Sequence, residues 1–271
     1  MILAGLALLS VGLADVLRRF LRGRARWIGF GVAGVLVLVL ATVGGAYLSG
    51  LVGIALAALW TWLLPLDGRP RFSFWPAVLL AMAVVALVAL VPARSVAGLF
   101  SGRWLATPLG PIGFDLLMLA IGVFAVLLES GNVIVRAALL GEQVETPADV
   151  VSGTPSADSA AGFATEASGR MDPGAPTASE PTSSTPSADP WFRGGRLIGP
   201  LERVIVLLLT LFAAYPLLAA MLAAKGIVRF PEISRDGING GRAEYFLVGS
   251  LVSWVVALGG ALLLWWAART A

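Results

Sequence analysis

The chain has 271 residues, of which 58% are hydrophobic and 13% are charged, and its formal net charge is +3. Soluble domains are usually about 45–50% apolar and about 25% charged, so this composition indicates a polytopic membrane protein. The chain contains neither cysteine nor histidine, which excludes disulfides, thiol nucleophiles, Ser-His-Asp triads and nearly all zinc or haem sites. We therefore expect no cofactor and no metal.

The first apolar run extends from Ile2 to Leu17, and positive charge follows it. A secretory signal carries its positive charge before the apolar stretch, so we expect a retained helix instead. Because basic residues favour the cytoplasmic side, the N-terminus should lie outside and the basic end inside. Asp15 lies one turn before Arg18 and Arg19, which predicts an ion pair at the helix end. The five basic residues are Arg18, Arg19, Arg22, Arg24 and Arg26.

The next apolar stretch, Ile28 to Leu64, is too long for one span. A single helix over it would measure about 55 Å against a hydrocarbon core of about 30 Å. We therefore predict two helices, with the break among the glycines and Ser49 between Gly44 and Gly50. Ala77 to Val91 is a fourth predicted span. Residues 94–113 are interpreted as an exposed loop, with a re-entrant segment as the alternative.

A fifth span begins at Ile112 and is expected to continue as helix to about Leu140. Four polar residues fall within about 100° on one of its faces. They could line a cavity. The interpretation that we favour is that the two ends of the helix pack against neighbouring helices, with Glu129 linked to Arg136 through Asn132. The four polar residues are Asp115, Glu129, Asn132 and Arg136.

Residues 142–190 are rich in Ser, Thr, Ala, Pro and acidic residues. Such a composition buries too little apolar surface to offset the entropy of ordering the chain. We predict a disordered acidic linker here. It divides an N-terminal membrane domain, residues 1–141 with about five spans, from a C-terminal membrane helical pair, residues 191–271.

The C-terminal part is predicted to contain one helix from Leu197 to Phe230, kinked at Pro216, and a last span from Glu244 to Trp266. Glu202 at the start of the first helix suits the positive end of the helix dipole, but the same dipole disfavours Arg203. Arg203 therefore needs another partner. The candidates are Glu129 and a lipid phosphate, and we favour Glu129.

The predicted fold class is all-α, a polytopic transmembrane helical bundle of about seven spans, within a range of six to eight. The expected location is the bacterial inner membrane, with the N-terminus outside and the linker and C-terminus cytoplasmic. This topology leaves basic residues on the outer side of two loops, against the positive-inside rule. A re-entrant segment or a missed span would remove the conflict. The alternative is that these charges lie on the outer side because they have a function there. The residues concerned are Arg94, Arg103, Lys225, Arg229, Arg235 and Arg242.

The stretch Gly195 to Ser253 carries the run LIGPLER (197–203), the run AAK (223–225) and several later matching positions. In their order and spacing these residues resemble a domain-of-unknown-function family of small bacterial integral membrane proteins. The resemblance covers about a fifth of the chain. It implies a membrane location and a recurring charged motif, and it implies no known activity. The later positions are Arg229, Phe230, Glu244, Tyr245, Leu247, Gly249 and Ser250.

Three functions remain open. We favour a structural or regulatory membrane component. The alternatives are a small-solute transporter or channel-like protein, and a membrane enzyme acting on a lipid head group. The expected partners are the lipid bilayer and anionic lipid head groups, without nucleic acid, and no catalytic residue is assigned. The candidate functional residues are Asp115, Glu129, Asn132, Arg136, Glu202, Arg203, Lys225, Arg229 and Glu244.

Overall fold

The computed structural model describes residues 1–65, 74–91, 105–107, 110–142, 195–234 and 241–270. The predicted linker therefore lies outside the described residues, apart from its first residue, Glu142. The helices are α1 (Ile2–Phe20), α2 (Arg24–Val43), α3 (Tyr47–Leu63), α4 (Trp75–Leu90), α5 (Phe114–Ala125), α6 (Gly131–Glu142), α7 (Gly195–Leu211), α8 (Tyr215–Ser234) and α9 (Gly241–Thr270). A π-helical turn, Val126–Ser130, joins α5 to α6, so that the three form one continuous rod.

Two three-residue strands are the described exception to the helical architecture. Strands β1 (Leu105–Thr107) and β2 (Gly110–Ile112) pair antiparallel just before α5. They occupy part of the segment expected to be a loop. Residues 94–104 and 108–109 of that segment lie outside the described residues. The prediction of a helical membrane fold is confirmed, whereas the predicted number of about seven spans is not. Three segments are long and apolar enough to cross a membrane: Arg24–Val43, Phe114–Leu139 and Leu247–Thr270.

The first helix, α1, lies at the centre of the N-terminal helices and is buried along most of its length. It runs parallel to α5, and glycines allow the two backbones to approach closely. A Cβ built on Gly5 would lie 2.6 Å from the backbone nitrogen of Leu119, and one built on Gly122 would lie 2.5 Å from the carbonyl oxygen of Gly5. Small residues at helix interfaces commonly allow membrane helices to pack closely.

The break predicted between α2 and α3 is confirmed at Gly44–Ala46. The N–H of Ala46 donates to the carbonyl of Ala41, and the N–H of Gly45 donates to that of Thr42. These two bonds form a Schellman motif, and Gly45 takes its left-handed position with φ 64°. After this turn α3 runs parallel to α1, so that Trp60 reaches Asp15.

The prediction of one kinked helix over Leu197–Phe230 is wrong. The chain forms two helices, α7 and α8, and a second Schellman motif separates them. The N–H of Ala214 donates to the carbonyl of Leu209, and Ala213 adopts φ 54°. Pro216 is the second residue of α8, and a proline in the first turn of a helix lacks only an N–H that needs no helical partner. This proline therefore starts a helix and does not kink one.

The last helix, α9, runs antiparallel to the α5–α6 rod. Gly249 faces Val135 and Leu139 of α6, whereas Gly260 faces Val123 of α5. Helix α7 runs in the same direction as α9. The C-terminal part therefore contains three helices and not the predicted pair. Because α7 and α9 run in the same direction, α8 connects the end of one to the start of the other.

Candidate functional site

The polar side chains of the C-terminal helices meet the rod at its π-helical turn. In this turn the N–H of Gly131 donates to the carbonyl of Val126, one residue farther back than in an α-helix. The neighbouring carbonyl, that of Leu127, accepts a 2.9 Å hydrogen bond from Nε of Arg203. Single π-helical turns within α-helices are frequent at functional sites. In this protein the π-helical turn presents the Leu127 carbonyl to Arg203 of α7.

Arg203 is only 2% exposed, and all three of its side-chain nitrogens have partners. Besides the Leu127 carbonyl, Nη1 donates to Oγ of Ser253 at 3.3 Å and Nη2 donates to Oδ1 of Asn132 at 2.6 Å. Asn132 in turn donates from Nδ2 to Oε2 of Glu129 at 3.2 Å. Arg203 thus connects α7 to the π-helical turn, to α6 and to α9.

Gly131 leaves the space that Arg203 occupies. A Cβ built on Gly131 would lie 2.6 Å from Nε and 2.8 Å from Cζ of Arg203. Real Cβ atoms essentially never approach a heavy atom this closely, so a larger residue would displace the guanidinium. The glycine therefore belongs to the site, although it carries no chemistry of its own.

The predicted association of Arg203 with Glu129 runs through one intervening side chain, that of Asn132. Glu129 also faces Arg19 of α1, with 3.5 Å between Nε and Oε1. The link expected from Glu129 through Asn132 to Arg136 is wrong. Arg136 instead donates to the carbonyl of Pro65 at 3.1 Å, so that the end of α6 is joined to the end of α3.

Glu202 and Lys225 lie side by side, although the prediction of a single helix placed them at its opposite ends. Lys225 Nζ lies 2.6 Å from Oε1 and 2.7 Å from Oε2 of Glu202. Trp254 of α9 donates from Nε1 to the same carboxylate at 2.9 Å, and Lys225 Nζ lies 5.5 Å from its ring centroid. The reversal of the chain between α7 and α8 makes this contact possible.

A second charged cluster lies where α1 ends against α3. The predicted Asp15–Arg18 ion pair is confirmed, and Asp15 is fully buried. Trp60 donates to Oδ2 of Asp15 at 3.0 Å. Arg18 donates to the carbonyl of Leu64 at 2.7 Å, and thereby satisfies an acceptor at the C-terminal end of α3.

Of the remaining predicted residues, only Asp115 has a described side chain, and it lies apart from these clusters. Asp115 is buried at the other end of the rod, about 21 Å from Glu129 along the helix axis. The side chains of Arg229 and Glu244 lie outside the described residues. The sequence reasoning missed Arg19, Gly131, Ser253 and Trp254 as parts of the site. Of these four, only Gly131 could have been noticed in the sequence, because it stands among Glu129, Ser130 and Asn132 in a largely apolar helix.

Two cavities in the described part of the chain are apolar. One, of about 390 Å³, lies between α1, α2 and α3, and the other, of about 490 Å³, lies between α4, α9 and the rod. None of the nine candidate residues lines either of them. Among the described residues, no group of three or more acidic, histidine or cysteine side chains could hold a metal. The described candidate residues therefore do not converge on these two cavities.

Comparison of the chain with protein-family models, with curated proteins and with solved structures finds no match. The resemblance stated for Gly195 to Ser253 therefore stays a prediction.

Proposed function

We propose that this protein is a structural or regulatory component of the membrane, in which buried charges bind helices to one another. The observation that carries the proposal is the set of contacts made by Arg203. The side chain is 2% exposed, and its donors go to the Leu127 carbonyl, Asn132 and Ser253. An arginine with its donors engaged in this way has little capacity left for a solute.

The same contacts weigh against a transporter. Ionisable residues within the membrane are expensive, and in transporters they face a substrate path or a water-filled cavity. Here Glu202 contacts Lys225 and Trp254, and Glu129 contacts Asn132 and Arg19. None of these charged side chains lines either of the two apolar cavities. The pattern supports a role in holding helices, with the linker as a tether on one side of the membrane.

We also propose a revised topology of eight helical passes, with the α5–α6 rod as a single pass. Helices α1, α3 and the rod run in one direction, and α7 and α9 run in the other. The N-terminal amine of Met1 donates to the carbonyl of Val91 at 3.0 Å, so α4 ends beside the start of α1. With the arginine corner after α1 in the cytoplasm, both termini would lie outside. Lys225 and the basic residues that follow α8 would lie inside, in agreement with the positive-inside rule.

The functional proposal can be tested by reconstituting the purified protein into vesicles and measuring ion and small-solute flux together with stability in detergent. We expect the wild type to support no more flux than empty vesicles. We also expect the Glu202→Gln and Lys225→Met variants to alter stability without altering flux. A flux that the wild type supports, and that folded Glu202→Gln protein loses, would favour the transporter.

The topology can be tested with single cysteines, since the native chain has none. Position 238 comes between α8 and α9 in the sequence, and Thr270 is the last residue of α9. In intact cells a membrane-impermeant thiol reagent should label Thr270→Cys and spare Ile238→Cys and a linker control, Ser156→Cys. Labelling of Ile238→Cys with protection of Thr270→Cys would restore the seven-span arrangement.

A further inference from the structure

The cavity between α1, α2 and α3 is an elongated slot that forms because two helices diverge. At one end α2 and α3 touch, since a Cβ built on Gly50 would lie 2.6 Å from Cβ of Ala41. Toward the other end they separate and enclose about 390 Å³ beside α1. Along α2 the lining runs from Trp27 to Val37, which corresponds to about 15 Å of helix.

The interior of the slot suits a hydrocarbon chain. Its walls include Phe30, Gly34 and Ile54. The two hydroxyls in the lining donate within their own helices: Ser10 to the carbonyl of Leu6 at 2.7 Å, and Thr61 to that of Ala58 at 2.8 Å. A polar solute would lose its water partners on entering and find these donors occupied, whereas an alkyl chain would lose none.

The mouth of the slot is positively charged. Trp27, which is 70% exposed, stands at the start of α2 beside the corner where Gly23, with φ 57°, joins α1 to α2. Arg22 and Arg24 at this corner are exposed, and Arg26 is half-buried. The described ion pairs engage Arg18 and Arg19 but none of these three arginines.

We propose that the slot and this corner together bind one acidic phospholipid. One acyl chain enters between α2 and α3, Trp27 lies at the boundary between chain and head group, and the phosphate contacts Arg22, Arg24 and Arg26. Tryptophan favours this boundary in bilayers, and clustered arginines attract anionic lipid. The inference concerns a ligand site at the N-terminal helices and does not rest on the proposed function.

The binding can be measured by native mass spectrometry of the protein in a non-ionic detergent. The probes are phosphatidylglycerol, phosphatidylcholine with the same acyl chains, and glycerol phosphate without chains. We expect one phosphatidylglycerol to bind with clear preference over the other two. Equal binding of phosphatidylcholine would remove the role of the arginines, and equal binding of glycerol phosphate would remove the role of the slot. Either result would overturn the proposal.

Two pairs of variants separate the parts of the site. A Cβ on Gly34 meets only Ile54 Cδ1, at 3.9 Å, and points to the slot, whereas one on Gly31 meets nothing within 4 Å. Gly34→Leu should therefore abolish the preference for phosphatidylglycerol, and Gly31→Leu should keep it. Unchanged preference in folded Gly34→Leu protein would overturn the proposal, even if the arginine variants fail to insert.

The charge is tested by the triple variant Arg22→Gln, Arg24→Gln, Arg26→Gln, with Arg269→Gln at the far end of α9 as its control. Each arginine near an anionic head group contributes about a factor of five in affinity, so the triple variant should bind phosphatidylglycerol about 100-fold more weakly. Arg269→Gln should bind as the wild type does. A loss of about fivefold in Arg269→Gln, the same per charge removed, would assign the effect to net charge and contradict a local site.

Discussion

The rod formed by α5 and α6 packs against the rest of the bundle in two different ways. Along α5, the contact with α1 is apolar and close, through Gly5 and Gly122. Against α7 and α9 it depends on Arg203, whose side chain fills the space beside Gly131 and hydrogen-bonds to three neighbouring segments. Lipid gives apolar helices little reason to associate, so packing of small residues and interhelical hydrogen bonds take over that task.

The two interfaces therefore differ in the kind of mutation that they tolerate. The α1 interface has no room for an added atom, because its backbones already touch. The arginine interface cannot lose a group, because removal of one partner leaves buried polar atoms without a bond. The four predictions below test this contrast, from the largest expected effect to the smallest.

Arg203→Ala should destabilise the protein by about 3–5 kcal/mol, because it leaves three buried polar partners without a hydrogen bond, at about 1–3 kcal/mol each. Asn132, Ser253 and the Leu127 carbonyl would each lose a hydrogen bond. The measurement is reversible unfolding in mixed detergent micelles. Arg269→Ala is the control, since Arg269 lies over the ring of Trp265 at the end of α9 and should cost only about 0.5–1 kcal/mol. Similar losses in the two variants would contradict the role of Arg203.

Gly122→Ala should destabilise the protein by about 1–3 kcal/mol through overpacking against α1. The added methyl would lie 2.5 Å from the carbonyl oxygen of Gly5. Helix propensity alone favours alanine over glycine by about 1 kcal/mol, so a loss would report the contact. The matched control is Gly31→Ala, where nothing lies within 4 Å and stability should stay equal or rise. A gain in both variants would refute the close approach.

Gly131→Ala should cost about 1–2 kcal/mol in the wild type, because its methyl collides with the side chain of Arg203. The effect should be absent in the Arg203→Ala background, where the colliding side chain is gone. A double-mutant cycle in the same unfolding assay gives the coupling energy. An equal cost of Gly131→Ala in both backgrounds would show that Arg203 is not what the glycine accommodates.

Lys225→Met should have the smallest effect, about 0–1 kcal/mol, because the side chain of Lys225 is 25% exposed and the pair is partly solvated. Glu202 would keep its hydrogen bond from Trp254. The change is measured against Glu202→Met, which removes the acceptor for both partners and should cost more. A loss of stability in Lys225→Met as large as that in Arg203→Ala would contradict the small contribution expected of the contact between α7 and α8.

Local spacing in the sequence was enough to predict part of the site. Asp15 and Arg18 are one turn apart, and neighbours at that spacing meet on any helix. The partners of Arg203 are different. Asn132 lies 71 residues before it in the chain, and Ser253 lies 50 residues after it. Helical periodicity does not report which faces of distant helices meet, so Glu129 was expected as a direct partner and is reached only through Asn132.

The turns at Gly45 and Ala213 also differ in how far the sequence predicts them. At Gly45 the left-handed position is occupied by a glycine, which adopts φ 64° at no steric cost, so composition alone indicated where α2 ends. At Ala213 the same motif places φ 54° on an alanine, a conformation that local sequence disfavours. The reversal that follows brings Lys225 to the carboxylate of Glu202, which Trp254 also contacts. The apolar composition thus determined that the protein is helical and belongs in a membrane. The reversal between α7 and α8 was decided by contacts that exist only in the assembled bundle.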